Sequence, residues 1–376
     1  MGDKHLHIIT HDVPYPADYG GVIDIFYKIK SLHQMGVKIY LHCFVYDRLA
    51  ADELDKYCEE VIYYKRKNDI FHFSFKIPFI VNSRKNSDLI YNLKLDDYPI
   101  LIEGIHCSYY AIEGQLNNRL VLLRLFNTEF VYYKQLALHE KNWLKKLYYQ
   151  HESKLLKKYE NNLSKQLQIA ALSEKDVHLY QQFFNADNIF YLSVFLPYQI
   201  LASEEGKGCY CLYHGNLSIN ENEEAVIWLL KNVFNNLKIP FVIAGKNPSD
   251  KLMSIAHEHG HTCLVANPSD KELQDMITKA QVNILPSFNS TGVKLKLLNA
   301  IFNGRHCLVN TAGVEGSGLN SICHMAEDAD DFKTAINYLY NVPFTKIESD
   351  QRAIILHDLY SNKKNAEKII SIFWPE

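Results

Sequence analysis

The chain has 376 residues, 47% hydrophobic and 22% charged, an ordinary balance for a globular protein of two to three domains at roughly 150 residues each. Forty Lys and Arg against 43 Asp and Glu leave a formal net charge of −3, which excludes a globally basic nucleic-acid binder. No apolar run reaches the ~18 residues of a membrane span, and no secretory signal is legible over 1–16, so a cytoplasmic protein, at most lying on a membrane surface, is expected. The eight cysteines include no C-x-x-C pair. Cys209 and Cys211 would share one face of a strand, but no second Cys/His pair at zinc spacing accompanies them. Reduced, buried thiols and no metal site are expected.

The first half alternates apolar runs with helix-spaced segments. Residues 5–10 read as a strand, followed by a Pro/Gly loop over 12–21. Residues 22–35 carry Ile25, Ile29 and Leu32 at helical spacing and stop at Gly36. Further strand-like runs are 37–44, 61–64, Ile100–Glu103, 120–125 and 168–172. A long helical pattern covers 130–163, with Lys141, Lys145, Lys146, Lys154, Lys157, Lys158 and Lys165 at or beside its polar positions. Beside Trp143 and several Tyr, those lysines fit a peripheral contact with an anionic membrane; a domain-covering helix with a solvated face is the simpler reading.

Periodicity breaks near 195–208, at Pro197 and the stretch 203–208. The second half then repeats the pattern, with strand candidates at 209–214, 241–244, 262–265, 282–285 and His306–Val309. Strands alternating with helices imply parallel sheets covered on both faces. The expected fold class is α/β, two Rossmann-like doubly wound domains facing across a cleft, with ligands outside the carboxyl ends of the strands.

The most informative stretch is 286–310, PSFNSTGVKLKLLNAIFNGRHCLVN. It leaves a strand, turns through Ser290, Thr291 and Gly292, and enters a helix that ends at Gly304. Ser290 or Thr291 could cap that helix, and Gly292 lets a ligand approach the backbone. Helix N–H groups, with Val293 between them and the turn, favour an anion such as a diphosphate, and Lys294 and Lys296 add charge. An ordinary turn with solvated lysines is the alternative.

This strand–turn–helix resembles retaining glycosyltransferases of the group 1 (family 4) type, which have the GT-B fold, and the resemblance covers nearly the whole chain. Pro14 through Gly20 and Gly21 looks like their N-terminal glycine loop. His214-Gly215-Asn216-Leu217 resembles the segment opening their nucleotide-binding domain, and FVIAGK, ending in Gly245 and Lys246, their next strand and turn. Arg124, Asn127 and Glu129, with the segment ESKLLKKYE from Glu152 to Glu160, are similar to a bacterial subgroup with an R-x-H-N-x-E signature. The chain departs twice: Asn299 stands where the family has Glu, and Phe126 where it has His.

The resemblance implies an acceptor-side domain over 1–195, a nucleotide-sugar domain over 196–355, and a helix over 356–376 that packs back on the first. It implies transfer of a sugar from a nucleotide-sugar donor to a saccharide or lipid-linked saccharide, with retention, no cofactor and no metal. Asn299 would hold the ribose. Asn127 and Glu129, together with His106 at the carboxyl edge of Ile100–Glu103, would face sugar and acceptor. The alternative is a catalytically degenerate homologue that serves as a binding or scaffolding partner. Asp328-x-Asp330 reads as a helix start, with Asp330 capping or Asp331 nearby, rather than a metal motif. Hydride transfer and P-loop chemistry lack their glycine fingerprints.

Overall fold

The computed structural model describes residues 2–67, 74–289 and 292–375. It divides into two compact units, Met1–Pro197 with Tyr360–Glu376, and Tyr198–Leu359. The helix Lys346–Leu359 runs on through residue 355, so the second unit ends at Leu359 rather than at the expected 355.

The first unit is built on seven parallel strands: β1 Lys4–Thr10, β2 Val37–Val45, β3 Glu60–Lys65, β4 Ile100–Glu103, β5 Val121–Leu125, β6 Gln168–Ala171 and β7 Ile189–Tyr191. Their spatial order is β3-β2-β1-β4-β5-β6-β7. Consecutive residues of one strand serve opposite faces, which is why the runs read as continuously apolar. Leu6, Ile8, Leu101 and Leu122 pack with Ile25 and Ile29 of the helix Gly20–Gln34. Ile9, Ile102 and Leu123 pack with Tyr109, Tyr110 and Leu156 on the other face. The helix ends where Gly36 takes φ 80°, a left-handed conformation that glycine adopts without strain.

The single pattern expected over 130–163 is two helices, Glu129–His139 and Trp143–Leu163, packed against each other. The chain turns extended at Glu140, and Asn142 caps the second helix by accepting from the amides of Leu144 and Lys145. The helix Asn362–Phe373 belongs to this unit: Ala366, Ile369 and Phe373 enter the core of Leu6 and Ile8.

The second unit holds six parallel strands: β8 Cys211–Asn216, β9 Phe241–Lys246, β10 Thr262–Ala266, β11 Val282–Ile284, β12 His306–Val309 and β13 His324–Met325. Their order is β10-β9-β8-β11-β12-β13. Cys209 is exposed and lies before β8, so it shares no strand face with the buried Cys211; all eight thiols are free. The helix Ala329–Asn341 is capped by Asp328, which accepts from the amides of Asp330 and Asp331, so the cap sits two residues earlier than Asp330. No helix among the described residues is long and apolar enough to cross a membrane.

Candidate functional site

Each sheet has one topological switch point, between β1 and β4 in the first unit and between β8 and β11 in the second. There the chain departs to opposite sides and leaves a crevice at the carboxyl ends of the strands. Several of the residues singled out in the sequence lie at or just beyond the carboxyl ends of these strands, among them His106, Asn216, Gly245 and Lys246.

In the first unit, His11 follows β1 and His106 follows β4, and their rings stack with centroids 5.1 Å apart. Phe126, just after β5, meets His11 edge-on at 5.3 Å. Gly104 makes the turn into His106 at φ 82°, and a Cβ there would lie 2.8 Å from His106 Nδ1. The Nδ1 atoms of His11 and His106 are buried and have no hydrogen-bond partner among the described residues. Burial and the Arg84 guanidinium drive both imidazoles down, His11 to about 3, so both are neutral at pH 7. Arg84 is held by two bonds to the His11 carbonyl, at 3.1 and 3.0 Å. Gly20 and Gly21 open the helix with no side-chain cap, and a Cβ on Gly21 would stand 3.5 Å from the His11 ring.

Glu129 begins the helix after β5. Burial, then the Glu160 and Asp176 carboxylates, raise its carboxyl to about 8, against a hydrogen bond from Asn127. Glu160 accepts from the amides of Glu129 and Phe130, both at 2.9 Å, and from the Tyr180 hydroxyl. Glu152 likewise accepts from the Phe79 amide at 2.8 Å. Both carboxylates of ESKLLKKYE thus accept from backbone amides within the first unit. Arg124 is fully buried, pairs with Asp24 and donates to the carbonyls of Leu192 and Ser193.

In the second unit, β8 and β9 end side by side at Gly215 and Gly245. A Cβ on Gly245 would come within 2.0 Å of the Gly215 carbonyl oxygen, so only glycine allows this approach. Lys246 is exposed beyond it. The carboxamide oxygen of Asn216 is taken up by the Ser218 amide and hydroxyl, at 3.1 and 2.7 Å. After β11 the loop is pinned by Asn310, which exchanges bonds with both backbone groups of Ser287. Ser290 and Thr291 lie outside the described residues. Gly292 takes φ 65°, and the helix begins only at Leu295 with Lys294 in the capping position and no side-chain cap. The expected cap at 290 or 291 therefore falls outside the described residues, and the helix starts only after the left-handed residue at 292. Val293 precedes Lys294 in this half-buried turn.

Lys296 Nζ donates to the Tyr213 hydroxyl at 3.0 Å and to Asn222 Oδ1 at 2.9 Å, and lies 4.8 Å from the Tyr213 ring centroid. Among the described residues no carboxylate pairs with it. Burial, then repulsion from Lys294, lowers its ammonium to about 7. His214 is buried beside it, with Nε2 unpartnered, and burial plus the Lys296 charge lowers that ring to about 3. Asn299, on the helix Leu295–Asn303, already accepts at Oδ1 from Asn303 at 2.8 Å.

The edges thus add His11, Arg84, Tyr213 and Asn222 to the expected set. His11 carried a readable signal, since it follows β1 as His106 follows β4. Arg84 and Asn222 carried none, because they reach the edges from other segments.

No family model matches the chain. It is 27% identical over 388 residues to an uncharacterized 44.6 kDa protein in the cps region of Klebsiella pneumoniae, covering 95% of this chain and 96% of that one. Among solved structures it is similar to S. aureus TarM, a point mutant in complex with Fondaparinux, alpha-GlcNAc-glycerol and UDP, with a TM-score of 0.67, 12% identity, and 98% and 99% of the two chains covered. It is also similar to WaaG, a glycosyltransferase involved in lipopolysaccharide biosynthesis, with a TM-score of 0.64, 12% identity, and 99% and 100% covered. The chain has the fold of these GT-B glycosyltransferases, two Rossmann-like parallel-sheet units in one polypeptide.

Proposed function

We propose that the chain is a glycosyltransferase that moves a sugar from a nucleotide-sugar donor to a saccharide or lipid-linked saccharide acceptor, with retention and without metal. The observation that carries this reading is Lys296, a half-buried lysine at the carboxyl edge of the second sheet with no carboxylate partner among the described residues. A diphosphate supplies the countercharge it lacks. Glycosyl transfer also places growing negative charge on a diphosphate leaving group, which preorganised cations and N–H groups stabilise.

In this reading Lys294, Lys296 and the backbone of Gly292, Val293 and, by resemblance, Ser290 and Thr291 hold the diphosphate. Gly245, Lys246 and Asn216 border the nucleotide, and Asn299 meets the ribose. His106, Asn127 and Glu129, joined by His11, meet sugar and acceptor, with Gly20 and Gly21 as a close-approach loop. With its carboxyl raised to about 8, Glu129 is largely protonated at pH 7, which makes it a hydrogen-bond donor for sugar or acceptor in this reading. UDP in the TarM structure and the lipopolysaccharide role of WaaG support a nucleotide-sugar donor and a saccharide acceptor through the shared fold.

The test is turnover of a nucleotide-sugar panel with acceptor extracts, including slow donor hydrolysis. Release of a nucleoside diphosphate is expected; neither binding nor turnover would overturn the reading. A second reading, the catalytically degenerate partner, is favoured by one contact: Asn299 Oδ1 is engaged by Asn303, and Asn lacks the charge assistance of a carboxylate. Binding without turnover selects it.

We also propose that the chain is cytoplasmic, with a peripheral contact with the inner face of the membrane as the alternative to a merely domain-covering helix. Trp143 is 68% and Leu144 59% exposed, beside the exposed Lys141 and Lys145. Sedimentation with anionic but not neutral vesicles, weakening with salt, is expected. Equal, negligible sedimentation with both would leave a covering helix.

A further inference from the structure

We propose that His306, His324 and Glu348 form a divalent transition-metal site that takes Zn2+ and clamps the edge of the second sheet. His306 opens β12, His324 opens β13, and Glu348 lies in the first turn of the helix Lys346–Leu359. The two histidines sit at the amino ends of their strands, away from the carboxyl edge that carries Lys296. The cluster is independent of the donor reading.

His306 Nδ1 lies 3.3 Å from His324 Nε2 and 3.3 Å from Glu348 Oε1, and the last two atoms are 4.0 Å apart. The point equidistant from all three lies about 2.1 Å away, the length of zinc bonds to imidazole and carboxylate, and nearly in their plane, so His324 closes toward Glu348 when a tetrahedral ion binds. The groups behind them are already those of a metal site. His306 Nε2 lies 3.2 Å from the Val342 carbonyl, which only accepts, so the ring proton belongs there and the lone pair of Nδ1 faces Glu348. Glu348 Oε2 accepts from the Thr345 amide and hydroxyl at 2.9 and 2.8 Å, which aims Oε1 at the histidines. Two acceptors therefore face each other at 3.3 Å, and a cation between them resolves that contact.

Arg352, one turn further on, gives its guanidinium to the Gly304 carbonyl at 2.8 Å and stacks over Phe344. It leaves the Glu348 carboxylate to the two imidazoles. A cavity of about 200 Å³, lined by Cys323, His324, Glu348 and Gln351, opens onto the cluster and admits a water as fourth ligand. The ion would tie β12, the two-residue strand β13 and the helix Lys346–Leu359 together. Because His306 and His324 stand 18 residues apart and Glu348 further still, no close ligand spacing marks the site in the sequence.

The experiment is Co2+ titration of the reduced protein followed by visible absorption, with Cys209→Ser and Cys263→Ser removing the exposed thiols. One equivalent of tetrahedral nitrogen/oxygen-bound Co2+, displaced by Zn2+, is expected. Zn2+ should raise the thermal midpoint and EDTA should return it. His324→Gln and Glu348→Gln should each weaken Zn2+ binding at least tenfold; the second keeps an acceptor for Thr345, so its cap survives. X-ray absorption of the zinc-loaded parent protein decides the case without variants, since imidazole and oxygen neighbours with no sulfur are expected. No Co2+ binding, a thiolate charge-transfer band, or affinity unchanged in both variants would overturn the site.

Discussion

A fully buried lysine in the first unit and a half-buried one in the second show how differently a fold can settle a charge. Lys28 Nζ lies 2.9 Å from Asp24 and 2.6 Å from Glu103, and all three are at most 1% exposed in their side chains. Arg124 completes the set, with two cations against two carboxylates. Although burial alone would raise the Asp24 carboxyl, the Arg124 and Lys28 cations hold it down at about 2. Lys296 has only a phenol and an amide oxygen and gives up its proton near pH 7. The first lysine is compensated within the chain; the second has no carboxylate partner among the described residues and, in the proposed reading, gains its countercharge from a bound diphosphate.

The largest expected effect breaks the compensated lysine. Lys28→Met leaves two carboxylates facing one arginine, and removing one partner of a buried ion pair costs about 3–5 kcal/mol, read as a lower denaturant midpoint. Lys296→Met should behave in the opposite way, leaving stability unchanged or raised at pH 6 to 7. It should weaken UDP binding by about 1.5–3 kcal/mol in calorimetry, with Lys294→Ala losing a similar amount. An equal fall in stability for both methionine variants would erase the distinction.

The pH dependence comes next. The folded value of Lys296, about 7, lies below the ~10.4 of an unfolded lysine. The unfolded chain therefore binds more protons across that window, so this group makes the fold more stable as pH rises from about 7 to about 10. In the proposed reading the UDP diphosphate raises the Lys296 pKa again, so binding is coupled to uptake of a proton by the lysine. Affinity should therefore fall as pH rises above about 7, by at most tenfold per unit, and Lys296→Met should flatten the profile. The smallest effect belongs to Asn299→Ala, which should cost about 0.5–1.5 kcal/mol of donor binding, while Asn299→Glu preserves or tightens it.

What the sequence disclosed tracks how local the physics is. β4 and β12 were legible to the residue because a buried apolar run, Ile100–Ile102 before Glu103 and Cys307–Val309 after His306, reads the same on either face. β7 and β13 were not, since edge strands of three and two residues leave no pattern to read. The glycines at 245 and 292 could be named, yet the reason for the first lies in the Gly215 carbonyl of another strand. Arg124 and Glu160 looked like chemistry in a motif and proved to be ties within the core, a distinction that depends on partners as distant as Asp24 and Tyr180. The shifted state of Lys296 was equally hidden, because burial is a property of the assembled unit.

The return of the polypeptide to the first unit after Leu359 sets an order on biosynthesis. Asn362 exchanges bonds with both backbone groups of Leu196, each at 2.9 Å, and Asn365 reaches Ser193. Ile369 and Phe373 then fill the hollow beside Leu6 and Ile29. On a ribosome, all of Tyr198–Leu359 is made before that filling exists. At ~5–20 residues per second, the nascent first unit spends roughly 10–30 s with an apolar face open to other chains, the interval in which a chaperone has work to do.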